Sequence, residues 1–283
     1  MALRIALVAN PRSGGGTEAA EVESRLRATG ASIERFATGE EELAAGSGAD
    51  RLVVAGGDGS IGPAAAAAAA SDLTLGVVPV GTANDFARAL GLPVELSQAC
   101  ALAAGGQTTR RVEIGKMDGR PFVNVASAGL AVAAARAAGR WKETVGSAAY
   151  ALGAIRAGVT ADSLECRVSC DGHELFSGHA WQVLVSCSGA FGGGSSVEVA
   201  TPSDGQLDAT VIVAGARARL AVHAYGLRFG RIVRQRGVRH ARCVEIEVGV
   251  PGGTAFNVDG ELIRHGPARF GVEAAAVAVV VAP

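Results

Sequence analysis

A chain of 283 residues with 26 basic and 27 acidic side chains and a mean hydropathy of +0.29 is long enough for about two domains and apolar enough to bury its own core. The balanced charge gives no reason to expect a nucleic-acid partner. No apolar run approaches the roughly 18 residues that span a bilayer, and residues 4–9 are too short for a signal peptide. The expected location is therefore the cytoplasm. Cys100, Cys166, Cys170, Cys187 and Cys243 are scattered and form no CxxC pair, which argues against zinc and predicts buried free thiols in a reducing compartment.

Residues 3–9 predict a strand, with Asn10-Pro11-Arg12-Ser13-Gly14-Gly15-Gly16 as the turn behind it. A helix over 18–28 follows, with Val22 and Leu26 one turn apart. After a short strand at 33–36, Thr38 precedes the acidic helix start Glu40-Glu41-Glu42 and is a residue type that caps helices. The apolar run at 52–55 breaks into Gly56-Gly57-Asp58-Gly59-Ser60, and an alanine-rich helix continues from Ile61-Gly62. Residues 73–80 repeat the pattern and end in Gly81-Thr82-Ala83-Asn84-Asp85-Phe86. This βαβαβαβ order predicts a parallel α/β domain. The two polar turns then lie side by side at the carboxyl edge of the sheet, where open α/β sheets bind ligands.

A helix through about residue 104 closes at Gly105-Gly106. From Val112 the pattern changes to short alternating runs typical of antiparallel sheet, so the predicted domains are 1–111 and 112–283. The second should be β-rich, with an inserted helical stretch at 128–157 and strands at 164–169, 181–187, 209–213, 243–248 and 277–281.

Gly57-Asp58-Gly59-Ser60-Ile61-Gly62 also matches the GxGxxG of dinucleotide folds, with Asp85 near the position of their ribose-binding acid. An aspartate between the glycines suits a magnesium nucleotide better. No GxxxxGK[ST] occurs, and neither lysine, Lys116 or Lys142, lies in a glycine loop, which excludes a Walker-type ATPase. Phosphoryl transfer requires backbone N–H groups around the phosphates, a carboxylate for Mg²⁺ and a base beside the accepting hydroxyl. Gly56 to Gly59 and Asn10 to Gly14 can supply the first and Asp58 the second. On residue types alone, Asp259-Gly260-Glu261 is a hairpin turn.

GGDGS and GTANDFAR together resemble the diacylglycerol kinase catalytic-domain family, which includes sphingosine and ceramide kinases; GGDG alone is shared with NAD kinases. The resemblance implies an ATP site built from Asn10, Pro11, Arg12, Ser13, Gly14, Thr38, Gly56, Gly57, Asp58, Gly59, Ser60, Ile61, Gly62, Thr82, Asn84 and Asp85. It implies a cleft between the α/β domain and a β-sandwich, and Glu261 as proton acceptor in a (D/N)GE-like segment. Thr201-Pro202-Ser203-Asp204-Gly205-Gln206-Leu207-Asp208 resembles the family's DGxLD segment, implying a second, structural Mg²⁺ on Thr201, Asp204 and Gln206; a metal-free Asp-Gly turn is the alternative. The family often has Thr and Asn where this chain has Ser60 and Gly62. The expected activity is ATP- and Mg²⁺-dependent transfer to a lipid alcohol, with diacylglycerol first among acceptors. An NAD kinase and a non-catalytic nucleotide or lipid sensor are the alternatives.

Eight arginines and no acidic residue occur between Asp208 and Glu245, with Leu220, Leu227 and Ile232 among them. A basic amphipathic helix here would hold the protein transiently against anionic membranes; a solvated face pairing with carboxylates elsewhere is the alternative. An exposed sheet edge would permit a homodimer.

Overall fold

The computed structural model describes residues 2–9, 17–139, 162–197 and 200–283. The first half alternates strand and helix: β1 (Arg4–Ala9), α1 (Thr17–Ala28), β2 (Ser32–Ala37), α2 (Glu41–Ala45), β3 (Arg51–Gly56), α3 (Asp58–Ala70), β4 (Thr74–Pro79), α4 (Asp85–Ala89) and α5 (Leu96–Gly105). The second half is dominated by strands: β5 (Thr109–Met117), β6 (Arg120–Phe122), β7 (Val125–Gly129), then α6 (Leu130–Gly139), β8 (Leu164–Cys170) and β9 (His173–Ser186). A small hairpin, β10 (Ala190–Phe191) and β11 (Ser195–Ser196), precedes β12 (Leu207–Val213) and α7 (Leu220–Arg228). The chain ends with β13 (Val238–Cys243), β14 (Glu245–Gly249), β15 (Ala255–Val258), β16 (Glu261–Arg264) and β17 (Ala268–Val280).

The first four strands are parallel in the order β4-β3-β1-β2. The chain turns to one side of β1 for β2 and to the other for β3 and β4, which places a topological switch between β1 and β3. Strands β3 and β4 are buried along almost their whole length because helices cover both faces. Small side chains make the α3 layer thin: Ala64, Ala65, Ala67 and Ala68 are buried against Leu52, Val54 and Leu75.

The second half is an antiparallel sheet, β16-β15-β7-β9-β8-β14-β17, with β12 and β13 added beside β9. It curls round a core of its own that joins Phe122, Val168, Val185, Val211, Ile246, Phe256 and Phe270. The division at residue 112 is crossed twice: β5 straddles it, and β17 pairs with β14 at its start and with β4 near its end. Val277, Val279 and Val281 accordingly belong to the core of the first domain, so the C-terminal strand fastens the two parts together.

Several sequence expectations change. Residues 128 and 129 end a strand rather than start a helix, α6 begins at Leu130, and the expected helix from 140 to 157 lies outside the described residues. The cysteines are not all free: Cys170 and Cys243 form a disulfide, while Cys100, Cys166 and Cys187 are buried thiols. Sequence spacing gave no hint of the pairing, because β8 and β13 meet only through the curled sheet. The arginine-rich segment is not one helix but a 3-10 turn that runs into α7, followed by a second 3-10 turn; Gly230 and Gly237, both at positive φ, follow the last two.

Candidate active site

The glycine turn after β3 and the polar turn after β4 touch. A Cβ on Gly81 would stand 2.5 Å from the Gly57 Cα, so only glycine fits there. Gly57 is the N-cap of α3 and offers no side-chain cap to its first turn, the kind of helix start that binds anions. Asn84, in the left-handed region at φ 52°, closes the second turn: its Oδ1 accepts from Gly81 N at 2.9 Å and its Nδ2 donates to the Gly81 carbonyl at 2.9 Å. Thr82 is exposed at the mouth of this turn, and Ser60 and Ile61 continue α3 behind the glycines, Ile61 wholly within the core.

Asp58 joins three parts of the molecule. Its carboxylate accepts from the backbone N–H of Asp85 at 3.1 Å and of Phe86 at 2.9 Å, capping α4 from outside. It also accepts from Asn124 Nδ2 at 2.9 Å, and Asn124 Oδ1 in turn accepts from the Ser188 hydroxyl at 2.6 Å. The three N–H donors make Asp58 an organiser of the two turns. Asp85 is buried and accepts from Gly193 N, which ties α4 to the β10–β11 hairpin. Burial raises its pKa, and the Asp58 charge adds to this against the opposing Gly193 bond.

Opposite the glycine turn stands the β15–β16 hairpin. Val258 pairs with Glu261, and Asp259 and Gly260 form a two-residue loop with φ of 46° and 93°, the twist that Asp-Gly favours. Asp259 holds the loop in place by accepting from the backbone N–H of Val123, Asn124 and Val125 at 2.7–3.0 Å. Burial outweighs these bonds and pushes its pKa up to about 7. The hairpin thus delivers Glu261 to the start of α3: a Cβ on Gly59 would lie 3.1 Å from Glu261 Oε1. Arg120 on β6 pairs with the other carboxylate oxygen. A groove of about 560 Å³ runs from Gly59 and Glu261 past Arg120 and Lys116 and along the Ala66–Ala70 side of α3.

Residue 62 lies between the domains. A Cβ on Gly62 would come within 2.9 Å of the Pro121 carbonyl and 3.3 Å of the Phe122 Cα, so this chain has no room for an asparagine there. We expect Gly62→Asn to lower stability by about 1–3 kcal/mol through overpacking, measurable by denaturant titration; unchanged stability would show that the interface can open at little cost.

Thr38 is exposed in the turn before α2 and does not cap that helix. Glu40 is the N-cap, and the Glu40 and Glu41 carboxylates accept from Ala37 N and Gly39 N instead. Asn10, Pro11, Arg12, Ser13 and Gly14 lie outside the described residues. Asn124, Ser188, Gly193 and Arg120 were not singled out in the sequence. They sit on strands and loops of the second half whose approach to Asp58, Asp85 and Glu261 depends on the curled sheet, and no local motif marks them.

Thr201, Asp204 and Gln206 do come together. Asp204 accepts from the Thr201 hydroxyl at 2.6 Å and from Gln206 N at 3.1 Å. Its carboxylate also pairs with the Arg242 guanidinium, which lies 3.8 Å from the fully buried Asp208. A guanidinium already occupies the carboxylate that Mg²⁺ would need. The donor set does not fit a structural magnesium. Exhaustive chelation should therefore leave the melting temperature of the nucleotide-free protein unchanged, while Arg242→Ala should cost about 1 kcal/mol by removing the cation from Asp204 and Asp208. A large loss of stability on chelation would restore the metal.

Glu113, 1% exposed, lies behind this loop and accepts from Gly205 N at 2.6 Å. Burial first, and then the Asp204 and Asp208 charges, raise its pKa from an ordinary 4.5 to about 7. A carboxyl raised on folding contributes stability that is complete below about pH 4.5 and is lost as pH rises through about 7, up to about 3 kcal/mol. Glu113→Gln should flatten the pH dependence of thermal melting over this window. An unchanged slope would mean that Glu113 ionises without penalty.

Known proteins resemble this chain along nearly its whole length. Residues 4–117 match the diacylglycerol kinase catalytic domain, and residues 124–281 match the YegS C-terminal NAD kinase beta sandwich-like domain. A "Probable lipid kinase YegS-like" of Pectobacterium atrosepticum is 31% identical over 96% of this chain and 93% of its own. A diacylglycerol kinase of Bacillus subtilis is 30% identical over 78% of this chain and 74% of its own. The crystal structure of a diacylglycerol kinase from Bacillus anthracis superposes with a TM-score of 0.79 at 23% identity, covering 99% and 97% of the two chains, which shows the shared fold. The chain belongs to the diacylglycerol kinase catalytic-domain family of lipid kinases, in the form that carries a YegS-type C-terminal domain.

Proposed function

We propose that the protein transfers the γ-phosphate of MgATP to the hydroxyl of a lipid, with diacylglycerol as acceptor and phosphatidic acid as product. The observation that carries this reading is the meeting of Glu261 with Gly59, which sets a carboxylate beside the N–H groups that start α3. Phosphates lie over Gly57 to Ser60, where the start of α3 and the helix dipole favour negative charge. Thr82 borders the same site. Magnesium bound with the nucleotide would neutralise charge on the phosphates.

Glu261 takes the proton of the acceptor hydroxyl as its oxygen attacks the γ-phosphorus. The new P–O bond forms as the bond to the β-phosphate breaks, and ADP leaves. Arg120 holds Glu261 before substrate binds. A terminal phosphate is the better partner for a guanidinium, so its arrival draws Arg120 away and leaves the carboxylate free as base.

The test is transfer of labelled γ-phosphate to diacylglycerol, sphingosine, ceramide and phosphatidylglycerol in mixed micelles, with NAD as the soluble control. Label in diacylglycerol supports the proposal. Label in another lipid replaces the acceptor, label in NAD alone overturns the lipid assignment, and no label with intact ATP binding indicates a sensor.

A further inference from the structure

We infer that the exposed face of α7 is a docking surface for anionic lipid bilayers, placed to hold the catalytic cleft against the membrane. The purpose rests on the lipid-kinase reading; the surface itself rests on the following geometry. Val222, Tyr225 and Phe229, at spacings of three and four, share one side of α7 and its C-cap, and each is more than half exposed. The Tyr225 and Phe229 rings meet with centroids 4.5 Å apart, forming a joined aromatic ledge.

The opposite side of the helix is fixed. His223 bonds to Gln235 Oε1 at 2.8 Å, Gln235 Nε2 donates to the Val222 carbonyl at 2.8 Å, and Gln235 fills the space where a Cβ on Gly226 would stand. The aromatic ledge is therefore presented by a rigid element and cannot fold inward.

Basic residues flank it along the chain. Arg219, Arg228, Arg231 and Arg236 are exposed, and none forms an ion pair with a carboxylate of the described residues. The guanidiniums of Arg219 and Arg228 donate to backbone carbonyls, of Arg236 and Gly194, and so keep their full charge. No acidic residue interrupts the sequence from 209 to 244. An apolar aromatic ledge flanked by cations matches an anionic bilayer, whose headgroups take the arginines while the rings enter the interface. A second copy would match poorly, because a two-fold contact through this face sets arginines against arginines.

The connection to the cleft is short. Arg228 holds the Gly194 carbonyl, and the neighbouring Gly193 N–H is bonded to Asp85 at the start of α4. One hairpin thus joins the proposed membrane face to the turn beside the phosphate site.

The test is co-sedimentation of the full chain, without nucleotide, with phosphatidylcholine vesicles that do or do not contain phosphatidylglycerol. Wild type should bind the anionic vesicles at low salt, release at about 1 M salt, and ignore the neutral ones. Two double variants, Tyr225→Ser with Phe229→Ser and Arg231→Glu with Arg236→Glu, should each weaken binding at least about tenfold. Both should melt like wild type and keep its turnover on a short-chain acceptor dissolved as monomers. Wild type that ignores anionic vesicles, or folded variants that bind like wild type, would overturn the inference. So would variants that lose a dimer and keep vesicle binding, since the face would then be a subunit contact. If wild type phosphorylates no lipid yet binds vesicles through this face, the kinase reading fails and the docking surface stands.

Discussion

Glu261→Gln should lower turnover by about 10²–10⁴-fold while the protein folds and binds MgATP as before. The side chain is 54% exposed and pairs with Arg120, so glutamine removes the proposed proton acceptor without disturbing a buried network. Glutamine has nearly the same shape, so the acceptor hydroxyl can still approach and only the destination of its proton is lost. The checks are steady-state kinetics, nucleotide titration and a thermal melt on the same preparation. Turnover near that of wild type would remove Glu261 from the chemistry and direct attention to another acceptor in the groove.

Asp58→Asn should fail differently, losing both stability and activity. The sequence alone suggests a metal ligand whose loss leaves folding intact, but the carboxylate takes N–H groups from Asp85, Phe86 and Asn124. An asparagine can accept through one oxygen only. Its amide would then point a donor at a backbone N–H, uncapping α4 or breaking the link to the second half. A cost of about 2 kcal/mol follows, and the melting temperature should fall by about 4–8 °C. With the two turns no longer held side by side, turnover should fall even at temperatures where the variant is folded. An unchanged melting temperature with abolished activity would return Asp58 to the role of a metal ligand.

These two residues show what the sequence makes legible and what it hides. The strand-turn-helix units around Gly56 and Gly81 are local, because apolar runs, glycines and a polar helix start follow one another along the chain. Their positions in the parallel sheet are therefore predictable from spacing. The Asp259-Gly260 turn is equally local, and its hairpin is found where the sequence places it. What brings Glu261 to Gly59 is not local. It depends on a sheet that curls back on itself and on β17 returning to pair with β4, which spacing along the chain does not encode.

The same reason hides Asn124, whose amide reaches Asp58 across 66 residues, and the Cys170–Cys243 pairing across 73. The Thr201–Gln206 segment has the opposite lesson. Its residue types are those of a metal loop, and the three named residues do cluster, yet Arg242 from the neighbouring β13 occupies the carboxylate. A ligand pattern specifies a cation site only if no cationic side chain is delivered to it from elsewhere in the fold.

The most direct test of the central claim is a crystal structure of the protein with Mg²⁺ and a non-hydrolysable ATP analogue. The expected result places the phosphates over the first turn of α3, the terminal phosphate facing Glu261, and Arg120 turned from that carboxylate to the phosphate. An acceptor hydroxyl could then reach Glu261 within about 2.6–3.2 Å and stand in line for transfer. A nucleotide bound elsewhere, or one whose terminal phosphate points away from the Asp259–Glu261 hairpin, would contradict the account.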